Sequence, residues 1–288
     1  MKKFVMSLFA ATSLFAVLSA PAYAVTTKER VLAEHKISIG IHNGAPWAYH
    51  TPDGKVVGFN ADVVRAVFTP LGVTQFDFIT ADFPSLIPGL MSERFDMVSS
   101  GLVITPARCK LVAFSEPDIS SVDGLLVKKG NPMNVHSYAD IAKNPQFRLG
   151  GTRGSQQAKN ATDGGVAADQ LQSFQDTEST FSALMSGRVD GIVYTSGTAN
   201  HKLSTATGAT AIERAKPFSG RLTAAGAPSP DALGAAFRLA DADLRDVFNK
   251  RIAEMKADGS LLKIMEKNGF PLDEAAPKTT TAAICAGK

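Results

Sequence analysis

The chain has 288 residues, 44% of them hydrophobic and 20% charged, with a formal net charge of +3. That is enough apolar sequence for a sizeable core and for more than one structural unit. No run of Lys and Arg and no interleaving of basic with aromatic residues occurs, which argues against nucleic acid as a partner.

Met1 to Ala24 carries Lys2 and Lys3, an apolar stretch from Phe4 to Leu18, and the small-x-small ending Ala22-Tyr23-Ala24. It reads as a secretory signal peptide (1–24) cleaved after Ala24; its apolar part is too short to span a bilayer, and no cysteine follows it for lipid attachment. Loss of Lys2 and Lys3 leaves 28 Lys and Arg against 27 Asp and Glu, so the calculated pI of 8.8 overstates the basicity of the mature chain. No second apolar stretch is long enough to cross a membrane, and a soluble periplasmic protein is expected.

Short β-branched runs then alternate with helical patterns, predicting an α/β fold with parallel sheets. Lys36 to Ile41 reads as a first strand and Pro52-Asp53-Gly54-Lys55 as a turn into Val56 and Val57. Asn60 is the expected cap of a helix with Val63, Val64, Val67 and Phe68 on one face. Phe76 to Ile79 follows as a strand, Phe83 to Met91 as a helix and Asp96 to Ser99 as a strand.

The segment from Asp96 to Pro117 is the most informative. An apolar run ends in Ser99, Ser100 and Gly101, whose small side chains leave backbone N–H groups open to an incoming anion. Thr105 and Pro106 read as the N-cap and first residue of a helix, which places Arg108 in its opening turn. A guanidinium there can grip a carboxylate with two parallel hydrogen bonds. On this segment alone, a surface arginine at a helix start is the competing reading.

Beyond Leu125-Leu126-Val127, the turn-rich Lys128-Lys129-Gly130-Asn131-Pro132 opens a new unit. A helix near Ala139 to Ala142, a strand from Phe147 to Gly151, a helix from Ser155, a helix from Thr180 to Met185 and a strand from Asp190 to Tyr194 are expected. Ser155 would cap a helix whose N-terminal N–H groups carry the positive end of the dipole, a ready anion site. Gly220 to Pro230 reads as a second linker, Gly234 to Phe237 as a return strand, and Asp243 to Lys256 and Leu261 to Lys267 as helices. Two linkers imply a discontinuous first lobe (25–126 and 231–288) with a second lobe (127–230) inserted, hinged around a cleft. Cys109 and Cys285 are the two cysteines; in an oxidising compartment they read as a disulfide that ties the tail to the first lobe. The five histidines show no ligand spacing with them, so no metal site is expected. Neither a nucleophile elbow nor a phosphate-binding glycine loop occurs, and no cofactor is expected.

These residues resemble the periplasmic solute-binding proteins of ABC importers, in the group that mostly carries polar amino acids. The motifs are Gly58-Phe59-Asn60-Ala61-Asp62-Val63-Val64, where the group usually has an acid in place of Asn60, then Leu86-Ile87-Pro88-Gly89-Leu90, Gly101 to Arg108 and Phe114-Ser115-Glu116-Pro117. Gly187-Arg188-Val189-Asp190 and Asp258-Gly259-Ser260 continue the match in the family's order over essentially the whole mature chain. Within the group, Arg108-Cys109, Lys128 to Pro132, Tyr138 to Pro145 and the terminal Cys285 are similar to ectoine and hydroxyectoine binders. The sequence departs from those binders at Trp47 and at Val103, where they place another aromatic.

The resemblance implies a two-lobed type II periplasmic-binding-protein fold, with a hinge and a ligand cleft between the lobes. By the same resemblance Phe83 supplies an aromatic wall, Arg108 with Ser100 and Gly101 a carboxylate clamp, and Ser155 and Gln156 backbone donors from the second lobe. Trp47, on a Gly- and Pro-rich loop, can offer a flat face to a cationic group. Thr195 falls five residues past Asp190, where amino-acid binders of the family usually carry a second acid for the ligand's α-ammonium. An ectoine-like solute, a betaine or a simple organic acid is therefore expected in preference to an ordinary α-amino acid, which is the alternative. The implied partners are a small zwitterionic or anionic solute and an inner-membrane permease, with the protein a monomer and not an enzyme. The same fold also serves some dehydratases acting on small cyclic acids, for which Lys110, Glu116 and Asp118 are the acid–base groups near the clamp.

Overall fold

The structure is a computed structural model that describes residues 25–287 except 206, 208, 224 and 225; the expected signal peptide lies outside the described residues. Numbered along the chain, the strands of the first half are β1 (Lys36–Ile41), β2 (Tyr49–His50), β3 (Val56–Val57), β4 (Gln75–Thr80), β5 (Met97–Val98), β6 (Ala113–Phe114) and β7 (Ile119–Ser121). Those that follow are β8 (Asp123–Lys128), β9 (Leu149–Thr152), β10 (Leu171–Phe174), β11 (Gly191–Thr195), β12 (Ile212–Arg214), β13 (Asp231–Leu233) and β14 (Ala236–Phe237).

Two five-stranded sheets result, ordered β4-β1-β5-β14-β6 and β10-β9-β11-β8-β12. In each, the first three strands are parallel and the fourth runs antiparallel to its neighbours. Each antiparallel strand is reached directly from a crossing between the sheets: β7 leads into β8, and β13 leads into β14. The two crossings pair with one another, Ser121 opposite Asp231 and Ile119 opposite Leu233, so the sheets are joined by a two-stranded antiparallel ribbon.

Strand periodicity explains where the cores sit. In the first lobe Ile37, Ile39 and Ile41 of β1 share one face and pack on Val63, Val64, Val67 and Phe68 of the helix Phe59–Phe68 and on Phe237 and Phe248. In the second, the alternation along β8 sends Leu125 and Val127 to one side with Ile141, Phe147 and Leu149, and Leu126 to the other with Phe181, Leu184 and Ile192. Both faces of the second sheet are thus covered, as a largely parallel sheet requires.

The structure moves several expected boundaries. Gly58, not Asn60, caps the first long helix, and it must be glycine: its φ is +112° and an added Cβ would lie 2.5 Å from the Trp47 carbonyl oxygen. Asn60 is instead buried in the first turn. Phe83 to Met91 is a 3-10 turn (Phe83–Ser85) followed by a short helix (Leu86–Met91), with prolines at 84 and 88. The helix expected from Thr180 begins at Thr177 on an Asp176 cap. A lobe boundary between 126 and 127 would fall inside β8, all of which belongs to the second sheet.

The tail returns to the first lobe. Its helix Thr281–Cys285 is joined by the Cys109–Cys285 disulfide to the four-residue helix Pro106–Cys109, with a Cα–Cα distance of 5.7 Å. The Thr281 backbone N–H donates to Glu116 Oε2 at 3.1 Å and its hydroxyl to the Ser115 carbonyl at 2.6 Å. Among the described residues no helix is long and apolar enough to cross a membrane.

Candidate functional site

The carboxyl ends of β1, β5, β9 and β11 converge where the two sheets face one another, the place at which open α/β sheets bind ligands. From the first lobe, His42, Trp47, Phe83 and Gly101 line a small cavity there; from the second come Ser155, Gln157, Thr195 and Thr198, with Thr152, Thr177, Val193 and Tyr194 around them.

Trp47 is fixed by its own loop and by packing. Its backbone N–H donates to the Gly44 carbonyl at 2.9 Å, its ring rests on Phe270 with centroids 4.8 Å apart, and Phe59 meets it edge-on. The indole also covers Gly101, where an added Cβ would come within 2.6 Å of it and φ is +64°, so only glycine lets the ring lie this close. The indole N–H then crosses the cleft to Thr198 Oγ1 at 3.1 Å. Thr195 donates its hydroxyl to the same Thr198 oxygen at 3.0 Å.

The region of Ser100 and Gly101 differs from expectation. The Gly101 N–H is taken by Asn60 Oδ1 at 2.8 Å, and the Ser100 hydroxyl accepts from the His42 backbone at 2.9 Å and faces His42 Nδ1 at 2.6 Å. Neither group is left free for an anion. His42 is neutral at ordinary pH, since burial pulls its pKa down to about 4, and its ring meets Phe83 edge-on at 5.2 Å.

Arg108 lies beside the cavity, not in its lining. Thr105 caps the short helix as expected, and the guanidinium donates to the Val103 carbonyl at 2.8 Å and, across the cleft, to the Gly154 carbonyl at 3.1 Å, with Phe83 5.8 Å away. Burial holds its pKa down at about 10, still charged at neutral pH. It borders a larger groove of about 1180 Å³ shared with Ser155, Gln156, Lys159, Arg221 and Asp231. Ser155 belongs to both spaces and caps the helix Gln156–Asp163, accepting from Ala158 N at 3.2 Å. Asn160 holds that helix from behind, its Nδ2 reaching Asp123 Oδ2 and Asp231 Oδ2 at 3.1 Å each, one acid beside each crossing.

The cavity measures about 40 Å³, room for little more than a water molecule. No carboxylate side chain lines it.

Of the residues singled out from sequence, Trp47, Phe83, Gly101, Ser155 and Thr195 line the cavity. Ser100 stands behind it, and Val103 is a buried core residue bridged to Leu233. Gln156 faces the outer groove with its amide on Asn160 at 2.9 Å; the glutamine in the cavity is the next one, Gln157. Sequence reasoning also missed His42, which follows β1 directly, and Thr198, in the first turn of the helix after β11; both were legible only as positions just past predicted strand ends. Glu116 and Asp118 lie away from the cavity, the first bonded to the tail and the second wholly buried near Lys256.

Two α/β lobes joined by a paired hinge around a polar and aromatic cleft define a solute-binding protein. The chain matches the family described as bacterial extracellular solute-binding proteins, family 3, over residues 37–270, and it belongs to that family. It is 34% identical over 284 residues to a probable amino-acid ABC transporter periplasmic-binding protein of Sinorhizobium fredii, covering 97% of this chain and 92% of that one. A crystal structure of EhuB in complex with hydroxyectoine superimposes with a TM-score of 0.82 at 33% identity, over 91% of this chain and 98% of the other. The ancestral amino acid-binding protein AncCDT-1, a precursor of cyclohexadienyl dehydratase, gives 0.73 at 26% identity, over 84% and 99%. The two-lobed type II periplasmic-binding-protein fold expected from sequence is the fold observed.

Proposed function

We propose that this chain is the extracytoplasmic solute receptor of an ABC importer: exported to the periplasm by a cleaved signal peptide, non-enzymatic, and delivering its solute to an inner-membrane permease. Its lobes would comprise 25–122 with 231–287, and 123–230. The solute carries a carboxylate together with a delocalised, alkylated or absent positive charge, with ectoine-like compounds first.

The observation that carries this reading is the cavity lining, which has aromatic faces and hydroxyls but no carboxylate, with Thr195 bonded to Thr198 at the end of β11. A primary ammonium enclosed there would lose its hydration without a counter-charge, at a cost of several kcal/mol. Weakly hydrated cations suit the aromatic face of Phe83 far better, with the buried Trp47 as the wall beside it. Arg108 is the clamp for the carboxylate: a guanidinium has five N–H donors, and two are given to carbonyls. The structural likeness to EhuB with hydroxyectoine supports the ectoine-like choice.

A thermal-shift screen tests it. Hydroxyectoine, ectoine or a betaine should raise the melting temperature most. Strong stabilisation by arginine, glutamine or histidine, with none from the ectoines and betaines, would replace this reading with ordinary amino-acid binding. Turnover of a small cyclic carboxylic acid on incubation would replace it with the enzyme reading.

A further inference from the structure

Three consecutive residues of the second lobe, at the start of the helix Ser196–Thr205, each meet a residue of the first lobe. The Ser196 hydroxyl donates to Glu274 Oε1, Gly197 lies against the Phe270 ring, and Thr198 accepts from the Trp47 indole. Gly197 leaves no slack: an added Cβ would come within 2.4 Å of Phe270 Cε1, and that ring is itself packed against Phe59 and Trp47. Trp47, Phe270 and Glu274 thus form a socket that receives one helical turn. Thr195 and Thr198, which line the cavity, flank the two seated residues.

Glu274 is the charged member of the socket. It is buried in the 3-10 turn Leu272–Glu274, yet its backbone is anchored without its side chain. The Ser120 hydroxyl reaches the Glu274 and Ala275 carbonyls at 3.2 and 3.1 Å, and Ala275 bridges to Ile119 of β7. The carboxylate is free to serve the other lobe, where Ser196 donates to it and the charge of Arg214 on β12 attracts it. Arg214 is in turn bonded to Asn200 of the same helix at 3.2 Å, and the Ser196 oxygen lies 2.9 Å from Ser121 Oγ at the end of β7. Burial pushes the Glu274 carboxyl up to about 7 against the pull of these groups. A carboxylate withdrawn from water is costly unless its partners stay in place, and here they belong to the second lobe and the ribbon.

We propose that Glu274 is a positioning residue for lobe closure: its carboxylate, bonded to Ser196, holds the first turn of the helix after β11 in the socket of Trp47 and Phe270 and so slows release of the solute. Neither Glu274 nor Ser196 lines the cavity, so the effect reaches the solute through Thr195 and Thr198. The inference rests on the solute-receptor reading but not on the choice of solute.

The experiment compares the wild-type protein with Glu274→Ala, Ser196→Ala, the two combined, and Gly197→Ala. Stopped-flow binding uses whichever of hydroxyectoine, ectoine, glycine betaine, arginine or glutamine stabilises the wild type most. Glu274→Ala and Ser196→Ala should each speed release about tenfold, in line with a hydrogen bond to a charged group, with association little changed. The combined variant should release no faster than the quicker single one, because both changes remove one contact. Gly197→Ala, which sets a Cβ against Phe270 without touching Glu274, should also speed release. Release within twofold of wild type in Glu274→Ala and Ser196→Ala would overturn the proposal, and so would single effects that multiply in the combined variant. Glu274→Ala that melts several degrees lower yet releases at the wild-type rate would make the carboxylate a support of the tail alone, and would overturn it as well. A wild type that responds to none of these solutes would remove the receptor reading instead. Small-angle scattering without solute would then decide the role of Glu274: Glu274→Ala should have a larger radius of gyration than wild type, and an unchanged radius would overturn the proposal.

Discussion

Trp47 and Thr198 meet across the cleft, an indole N–H of the first lobe donating to a hydroxyl of the second at 3.1 Å. This single bond links the best-packed aromatic of the site to the helix Ser196–Thr205 that follows β11. Trp47→Phe keeps an aromatic face against Phe59 and Phe270 while removing the donor. A neutral hydrogen bond contributes about 0.5–1.5 kcal/mol, so solute affinity should fall roughly two- to tenfold by calorimetry. An unchanged affinity would show that this bond does not help to hold the lobes together.

Arg108 is expected to matter more. Arg108→Ala removes the charge and both carbonyl contacts, one of which spans the lobes. Loss of such a desolvated charged group costs roughly 2–5 kcal/mol, so binding should weaken by tens-fold or more with the fold intact. Arg108→Lys should recover little, because a single ammonium cannot reproduce the fork that reaches Val103 and Gly154 together. Full recovery by lysine would reduce the role of Arg108 to a point charge.

The Cys109–Cys285 bond closes a loop with a sequence separation of 176 residues. The chain-entropy relation puts the stabilisation from so long a loop at about 5 kcal/mol, an upper figure since measured values often fall below it. The double variant Cys109→Ser with Cys285→Ser should therefore melt well below the wild type in calorimetry. Mass analysis of the exported wild type should find neither thiol open to alkylation.

Stability should depend on pH through Asp118. Its carboxyl is wholly buried, and burial pushes its pKa up to about 7 in spite of Lys256 nearby. A folded-state pKa above the unfolded value means that the contribution is fully present below about pH 4 and is lost as pH rises through 7. Asp118→Asn should match the wild type near pH 4 and melt higher near pH 8, flattening the profile between them. A profile no flatter than wild type would assign the pH dependence to other groups.

Much of the architecture was legible because it depends on local pattern. The β-branched run Lys36–Ile41, the capping pair Thr105-Pro106 and the cap at Ser155 each state their structure within a few residues. The inserted second sheet was visible as a change of unit after Val127 and a Gly/Pro-rich return. What stayed hidden depends on long-range contacts. Asn60 was read as a cap because nothing local reveals that its amide is needed 41 positions away at Gly101. Gln156 is named for its backbone N–H, and nothing local shows that the side chain lining the cavity is that of Gln157, since adjacent residues at a helix start differ only in the angle at which the tertiary fold sets the helix. The carbonyl partners of Arg108 were equally invisible, since one of them belongs to the other lobe.

The ribbon of β7 and β13 sets how many ways the two halves can move. Two short antiparallel strands bonded edge to edge resist stretching and sliding, yet they twist readily about their common axis. Opening should thereby follow nearly one angular coordinate. Distances between probes on opposite halves should then all follow that one angle, each with an amplitude set by how far the pair lies from the axis, so a distance ruler placed well off the axis would serve as a protractor for the whole molecule.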